Sequence, residues 1–363
     1  MVIGIDASRA FLKRRTGIEE YSYQVISALR GPLGDTDVVL YIRSDQSVSF
    51  DLPKRWRVRK LRAPRFWTQI RLSFEMLFHP PDVLFVPAHT VPLIHPARTI
   101  VTVHGLEYEV FPNGYSLWER LYMRFSIRFS TRVAKRVIAV SENTRRDLVH
   151  LYGIPTEKIS VVYEGISENV KRNAPDAGSR PDETGAGSRH PYLLFIGRLE
   201  ERKNIARIIE AFGMLKEKYG IPHELMLVGK PGYGYEKISG KIRETRYGIR
   251  EMGYVSEEEK FALLKNADVF LFPTLYEGFG LPVLEAQTAG VPVVTSDRSS
   301  LPEIGGEGAL YADPSSTADI AEKTWKLLSS KDLRDDIMEK GRGNVRRFGW
   351  DRCADSIAAL LRG

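Results

Sequence analysis

The chain has 363 residues, a formal net charge of +7, 43% hydrophobic and 27% charged residues, and a single cysteine, Cys353. That length exceeds one ordinary core and suits two α/β domains, the lone cysteine excludes an internal disulfide, and no apolar run reaches membrane-spanning length. No internal repeat points to a solenoid, and no nucleic-acid motif accompanies the basic excess, so a nucleic-acid partner is not expected.

The chain opens on Met1-Val2-Ile3-Gly4-Ile5-Asp6, which reads as a strand rather than a charged start before an apolar signal core. A cytoplasmic location is therefore expected. Gly4-Ile5-Asp6-Ala7-Ser8-Arg9 lacks the glycine spacing of a dinucleotide fingerprint, which argues against an oxidoreductase. Asp35-Thr36-Asp37 looks like a metal-binding acid pair but precedes a strand instead of ending one, so it reads as a turn. Strands are expected at 38–41, 83–86, 99–103, 137–140 and 159–162, alternating with helical stretches as in a parallel sheet.

Residues 1–168 carry 24 Lys and Arg against 17 Asp and Glu, whereas the remainder holds 29 of each. The excess concentrates in Lys54, Arg55, Arg57, Arg59, Lys60, Arg62, Arg65 and Arg71, interleaved with Trp56, Phe66 and Trp67. It continues in Arg120, Arg124, Arg128, Arg132 and Arg136, at four-residue spacing on a helix that also holds Leu117, Leu121, Phe125 and Phe129. A basic stripe beside apolar residues suits an anionic membrane surface; the alternative is a solvated basic face. His104 ends the 99–103 strand and so lies at the carboxyl edge of the first sheet, where α/β folds bind ligands. Ser141 to Thr144 reads as a helix cap.

Residues 169–190 have almost nothing to bury and read as a linker or mobile loop. Beyond them, strands are expected at 192–196, 224–228, 269–272 and 291–295. The first leads into Gly197-Arg198-Leu199-Glu200-Glu201-Arg202-Lys203-Asn204, then into Ile205, Ile208, Ile209, Phe212 and Leu215 at helical spacing. Arg198 can fork onto phosphate oxygens and Lys203 can act as a point charge, which would neutralise a leaving diphosphate without a metal. Taken singly, each would read as half of a surface ion pair.

The third strand leads into Tyr276-Glu277-Gly278-Phe279-Gly280-Leu281-Pro282-Val283-Leu284-Glu285-Ala286. Gly278 and Gly280 let backbone amides approach a ligand, Pro282 suits a first helical turn, and the helix should stop near Gly290. Glu285 falls in that first turn or just past it. A helix start suits a diphosphate, but Glu277 and Glu285 would repel one unless they held something neutral, such as ribose and hexose hydroxyls. The residues thus point to a nucleotide-diphospho-sugar. A plainer reading leaves Glu285 as a dipole complement and Glu277 as a solvated loop acid.

These segments resemble the retaining glycosyltransferases of family four. The likeness rests on Gly197-Arg198-Leu199 with Lys203-Asn204, Leu227-Val228-Gly229, Gly253-Tyr254-Val255-Ser256, Glu277 to Pro282 with Glu285, and Gly290-Val291-Pro292-Val293-Val294. Looser support comes from Gly4-Ile5-Asp6 with Thr16-Gly17-Ile18, Thr102-Val103-His104 and Val140 to Thr144. The resemblance implies an α/β GT-B fold of two Rossmann-like, doubly wound parallel-sheet domains facing a central cleft. Residues 1–168 would bind acceptor, 169–190 would link, 191–345 would bind the nucleotide sugar, and a helix in 346–363 would cross back to the first domain.

It further implies donor contacts from Gly17, Arg198, Lys203, Val255, Glu277, Gly278, Phe279, Gly280, Leu281 and Glu285. Catalysis would rest on Glu277, His104, Arg198 and Lys203, with no metal and no cofactor. Glu277 and His104 would hold sugar hydroxyls, Glu285 the ribose, and the leaving phosphate would take the acceptor's proton. Two positions depart from the family pattern: Gly105 stands where Asp is common, and Glu164-Gly165 where Asn-Gly is. Ser296 to Glu303 and the Gly4-Ile5-Asp6 opening look most like mannosyltransferases of polysaccharide assembly. The expected reaction is therefore hexose transfer from GDP-mannose to a glycan or lipid-linked glycan, at or near the inner face of the cytoplasmic membrane. A UDP- or dTDP-sugar donor, a nucleotide-sugar epimerase of the same fold and an inactive binding module are the alternatives; the intact Glu277 loop argues against the last.

Overall fold

A computed structural model describes every residue except Arg14, Thr16, 63–65 and 167–189. The expected linker therefore lies outside the described residues apart from His190, as does Arg65 of the basic run. The chain divides into two compact units, one of residues 1–109, 115–165 and 348–363, the other of residues 110–114 and 166–347. Among the described residues no helix is long and apolar enough to cross a membrane.

The first unit is built on seven parallel strands. They are β1 (Val2–Asp6), β2 (Asp37–Arg43), β3 (Trp56–Leu61), β4 (Val83–Val86), β5 (Thr99–Val103), β6 (Arg136–Ala139) and β7 (Ile159–Val161), in the order β3-β2-β1-β4-β5-β6-β7. The helices between them are α1 (Gly17–Leu29), α2 (Ser73–Phe78), α3 (Glu107–Val110), α4 (Leu117–Val133) and α5 (Glu142–Tyr152). β4 and β5 are buried along their whole length, which is why they read as unbroken apolar runs. Ser141 caps α5 by accepting the Thr144 amide at 3.0 Å, and Gly153 ends that helix at φ 64°. A last helix, Trp350–Arg362, completes this unit by burying Cys353, Ala354, Ile357 and Leu361 and setting Trp350 5.7 Å from the Tyr21 ring. Gly165 permits that approach, because a Cβ there would sit 2.4 Å from the Trp350 nitrogen.

Two surface expectations need correction. The middle of the basic run is the edge strand β3, which buries Trp56 and Leu61 and exposes Arg57 and Lys60, as edge strands often do to refuse further pairing, while Arg59 pairs with the buried Glu75 at 2.6 Å. Trp56 and Trp67 both face the core, their indole nitrogens donating to the Leu33 and Leu61 carbonyls at 3.0 and 3.2 Å. Arg136 lies in β6 rather than on the arginine helix, which ends at Val133. Arg124 is engaged by both Glu109 oxygens, and Arg128 lies over the Tyr152 ring at 4.7 Å.

The second unit has six parallel strands. They are β8 (Tyr192–Ile196), β9 (Glu224–Val228), β10 (Ile249–Gly253), β11 (Val269–Phe272), β12 (Val293–Ser296) and β13 (Leu310–Ala312), ordered β10-β9-β8-β11-β12-β13. Its helices are α6 (Ile205–Tyr219), α7 (Tyr235–Glu244), α8 (Glu257–Asn266), α9 (Leu281–Thr288), α10 (Leu301–Gly305), α11 (Thr317–Ser329) and α12 (Lys331–Val345). α6 buries Ile205, Ile208, Ile209, Phe212 and Leu215, the periodic set. The chain leaves β8 toward β9 on one side and later returns to place β11 on the other. The carboxyl ends of β8 and β11 therefore form a topological switch point, where open α/β sheets leave a crevice for ligands.

Candidate functional site

Both signature loops of the second unit spring from that switch point. The turn after β8 passes close to the end of β9, where a Cβ on Gly229 would stand 1.9 Å from the Gly197 carbonyl oxygen, so only glycine fits. Arg198 is exposed there and forms no ion pair among the described residues. Asn204 adopts a left-handed conformation at φ 64°, and its amide donates to the Pro273 and Pro314 carbonyls at 2.9 and 2.8 Å. Those bonds tie the β8 turn to the chain leaving β11. The Leu275 amide donates to the Arg202 carbonyl at 3.0 Å, and Arg202 Nη1 donates to the Tyr276 carbonyl at 2.7 Å.

This lacing brings Lys203 Nζ to 2.5 Å from Glu277 Oε1, with Arg202 Nη1 at 3.4 Å from the same oxygen. Lys203 and Glu277 are each only 9% exposed, so the two charges interact with little solvent screening. Burial pulls the Lys203 ammonium below its ordinary value, against the attraction of Glu277. Burial alone would raise the Glu277 carboxyl, but Lys203 and Arg202 outweigh it and hold the group below the usual range. The loop backbone is fixed as firmly as the side chain. Ser299 and Ser300 both donate to the Glu277 carbonyl, and Ser300 also donates to the Phe279 carbonyl at 2.5 Å.

Gly280, at φ 115°, opens α9 without a side-chain cap; Pro282 has no amide hydrogen and the Val283 amide donates to the Gly280 carbonyl at 3.0 Å, so Leu281 supplies the remaining amide of the first three positions. Glu285 stands one position past the first turn of α9, where Lys260 Nζ donates to its Oε1 at 2.8 Å while pairing with Glu257 at 2.7 Å. Burial would depress the Lys260 ammonium, but Glu285 and Glu257 overcome that and hold it up. Val255 lies half-buried between β10 and α8, the helix that carries Lys260.

The two carboxylates expected to need neutral partners thus each have a lysine. Arg202 and Lys260 were not among the expected site residues. Arg202 was legible only as a third cation in the same turn, and nothing local joins Lys260 to Glu285.

His104 and Gly17 belong to the first unit. His104 follows β5, its Nδ1 3.2 Å from Glu164 Oε1 and its Nε2 2.9 Å from the Pro87 carbonyl oxygen, with the ring edge-on to Tyr21 at 4.4 Å. The glutamate that departs from the family's Asn-Gly pattern is therefore the partner of this histidine. Gly17 starts α1 at φ 39°, and no described atom lies within 4 Å of where its Cβ would be. His89, buried nearby, is pushed down to about 3 by burial and by the charges of Arg9 and His104.

The two parallel-sheet units define the GT-B class. By fold, the chain resembles WaaG, a glycosyltransferase involved in lipopolysaccharide biosynthesis, at a TM-score of 0.73 over 100% of both chains and 18% identity. It also resembles the sucrose-phosphate synthase from Thermosynechococcus elongatus, at a TM-score of 0.76 over 99% of this chain and 98% of that one, again 18% identical. By sequence, residues 179–344 match the family model described as glycosyl transferases group 1, and residues 15–170 match that of glycosyltransferase family 4. The O-antigen chain mannosyltransferase B of Escherichia coli is 31% identical over 258 residues, covering 70% of this chain and 68% of the relative. The O-antigen chain mannosyltransferase RfbU of Salmonella typhimurium is 23% identical over 96% of both chains. The chain belongs to the family four glycosyltransferases.

Proposed function

We propose that this glycosyltransferase moves mannose from GDP-mannose to a glycan or lipid-linked glycan in polysaccharide assembly, with retention of anomeric configuration and without a metal. The observation that carries the reading is the buried Lys203–Glu277 pair at the β8/β11 switch point, on the same two loops as exposed Arg198 and the Leu281 amide that opens α9. Such a site offers a diphosphate fixed positive charge and offers a neutral sugar an oriented carboxylate. The choice of mannose draws support from the two O-antigen mannosyltransferases that resemble the chain.

As the bond from the anomeric carbon to the diphosphate oxygen lengthens, negative charge collects on the leaving group. Arg198, Lys203 and the Leu281 amide meet that charge where it grows, so they favour the transition state over bound donor. Glu277, held by Lys203 and Arg202, accepts a hydrogen bond from a sugar hydroxyl, and Glu285 does the same for the ribose. The acceptor oxygen bonds to the anomeric carbon on the face the diphosphate leaves, and its proton passes to the departing phosphate oxygen.

The test screens GDP-, UDP- and dTDP-sugars for thermal stabilisation and then follows transfer. A ligand at a hundred times its dissociation constant adds about 2.7 kcal/mol to stability. GDP-mannose should stabilise and donate, NMR of the product should show the donor's anomeric configuration, and turnover should survive EDTA. Preference for another nucleotide, an inverted product, or loss on chelation with recovery in magnesium each removes the corresponding part. Epimerisation of a sugar nucleotide without acceptor, as opposed to slow hydrolysis, would instead identify an epimerase.

A further inference from the structure

The first unit has a topological switch point of its own. From β1 the chain runs out through β2 and β3 on one side, then returns to set β4 on the other side of β1. The connections leaving β1 and β4 therefore diverge at their carboxyl ends and open a crevice, as those of β8 and β11 do in the second unit. The segment that leaves β4 there carries His89.

The chain around His89 is fixed on both sides. The Pro87 carbonyl accepts from His104 Nε2 at 2.9 Å, the Thr90 hydroxyl accepts that of Ser126 at 3.1 Å, and the Val91 amide donates to Ser130 Oγ at 2.9 Å. His89 itself is only 8% exposed, yet its ring forms no hydrogen bond among the described residues. A buried polar group without a partner needs a reason, because an apolar side chain of similar size would pack there at lower cost. Ion pairing is not the reason, since the two charges that reach the ring, Arg9 and His104, both favour its neutral form. A neutral imidazole offers one N–H and one lone pair, the complement of a hydroxyl group that can accept and donate.

Arg9 approaches from the β1 side, on a loop whose backbone is laced in place. Asp6 Oδ1 accepts the Ser8 amide at 3.1 Å and the Ser8 hydroxyl at 2.6 Å, and Gln46 Nε2 donates to the Ser8 carbonyl at 2.8 Å. Arg9 Nη1 pairs with Glu19 at 3.1 Å, which offsets the guanidinium charge and leaves its remaining N–H groups without a bond among the described residues. A phosphate would call for an unopposed cation. An offset cation with free donors, beside a neutral imidazole, instead suits an uncharged compound rich in hydroxyl groups.

We propose that His89 binds a hydroxyl group of the acceptor's terminal sugar in the β1/β4 crevice, with Arg9 donating to a neighbouring oxygen of the same sugar. This rests on the reading of the chain as a transferase to a glycan. It adds to that reading the part of the acceptor the first unit grips: a neutral sugar ring, not the phosphate of a lipid carrier. It also gives the unpartnered imidazole its use, a contact made only when acceptor is bound.

The experiment titrates the full chain, labelled in its histidine rings, with the methyl α-glycosides of mannose, glucose and galactose, and with inorganic phosphate, and follows the ring signals by NMR. The chain has seven histidines, and His89→Asn identifies the signal of interest. At least one glycoside should shift that signal saturably, and phosphate should leave it in place. His89→Leu should melt no lower than wild type at neutral pH and keep its affinity for GDP, while its Kd for that glycoside rises roughly tenfold or more. His89→Asn, which keeps a donor and an acceptor, should lose less than His89→Leu. The proposal is overturned if no glycoside moves the His89 signal, if phosphate alone does, or if His89→Leu binds the glycoside like wild type. Should GDP-mannose fail as donor while a glycoside still shifts His89, the donor reading fails and this site stands. Should His89→Leu accept mannose from GDP-mannose with the acceptor KM and kcat of wild type, this site fails and the donor reading stands.

Discussion

Lys203 Nζ donates to Glu277 Oε1 across 2.5 Å, joining the turn after β8 to the loop after β11 through a bond between two buried charges. The pair bears on the proposed donor site. There the lysine would cancel the carboxylate's charge toward a diphosphate and fix its direction toward a sugar.

Removing either partner should have different consequences. Glu277→Gln keeps the shape and a hydrogen-bond acceptor, so the fold should survive while turnover falls by about a hundredfold or more. Lys203→Met leaves the Glu277 carboxylate buried with only Arg202 near it, a loss of about 3–5 kcal/mol for a fully stranded charge and less with that residual partner. The double variant should regain part of the lost stability and none of the activity. Unfolding midpoints and turnover on the four proteins decide this, and near-normal turnover of Glu277→Gln would remove the glutamate from catalysis.

Two buried groups held below their ordinary range, His89 and Glu277, predict an acid limb in two steps. His89 is neutral in the fold down to about pH 3, against an ordinary 6.5, so the unfolded chain takes a proton that the fold refuses and stability drops as pH falls below 6.5. Glu277 is held below its ordinary 4.5, so its contribution is complete above pH 4.5 and lost as pH falls through the folded value. Urea midpoints against pH should therefore flatten between about 6 and 5 in His89→Asn and below about 4.5 in Glu277→Gln. Curves that match wild type in those windows would show that other groups carry the acid sensitivity.

Much of the framework was legible because parallel strands buried on both faces leave an unmistakable apolar signature. β4, β5, β8, β9 and β11 fall where the sequence places them, and α9 begins at Leu281 with Pro282 in its first turn. The strands that escaped notice are at edges: β3 and β10 mix charged with apolar residues, and β13 has only three residues. The strongly basic β3 escaped as a strand because an edge strand and a basic patch share a composition. Within the site, Glu277, Lys203 and Glu285 could be singled out by their loops. Lys260 could not, since its meeting with Glu285 follows from how α8 packs beside α9, a tertiary relation without a local trace.

Arg198 differs from the other cations of the site in having no carboxylate among the described residues. Arg198→Ala should therefore leave Tm nearly unchanged while weakening nucleoside-diphosphate binding by roughly 10- to 100-fold, the range of a lost charge-assisted hydrogen bond. Lys260→Ala should behave in the opposite manner, lowering Tm because Glu285 loses the ammonium that satisfies it. Calorimetric titration with GDP beside a melting curve separates the two. Unchanged GDP affinity in Arg198→Ala would take that residue out of the donor site.

His104 and Glu164 share a proton by geometry. The Pro87 carbonyl can only accept, so His104 Nε2 carries the hydrogen in their 2.9 Å bond. Nδ1, 3.2 Å from Glu164 Oε1, then needs a proton of its own, placed on the ring or on the carboxyl. Glu164→Gln removes that requirement, because the glutamine amide can donate to an unprotonated Nδ1 while the ring keeps its place. Activity near the optimum should then stay within about tenfold of wild type, whereas Glu164→Leu, which leaves Nδ1 without a partner, should lose more. The decisive readout is kcat and KM of wild type, Glu164→Gln and Glu164→Leu measured side by side. Equal losses in the two variants would show that the bond to Nδ1 is not what Glu164 contributes.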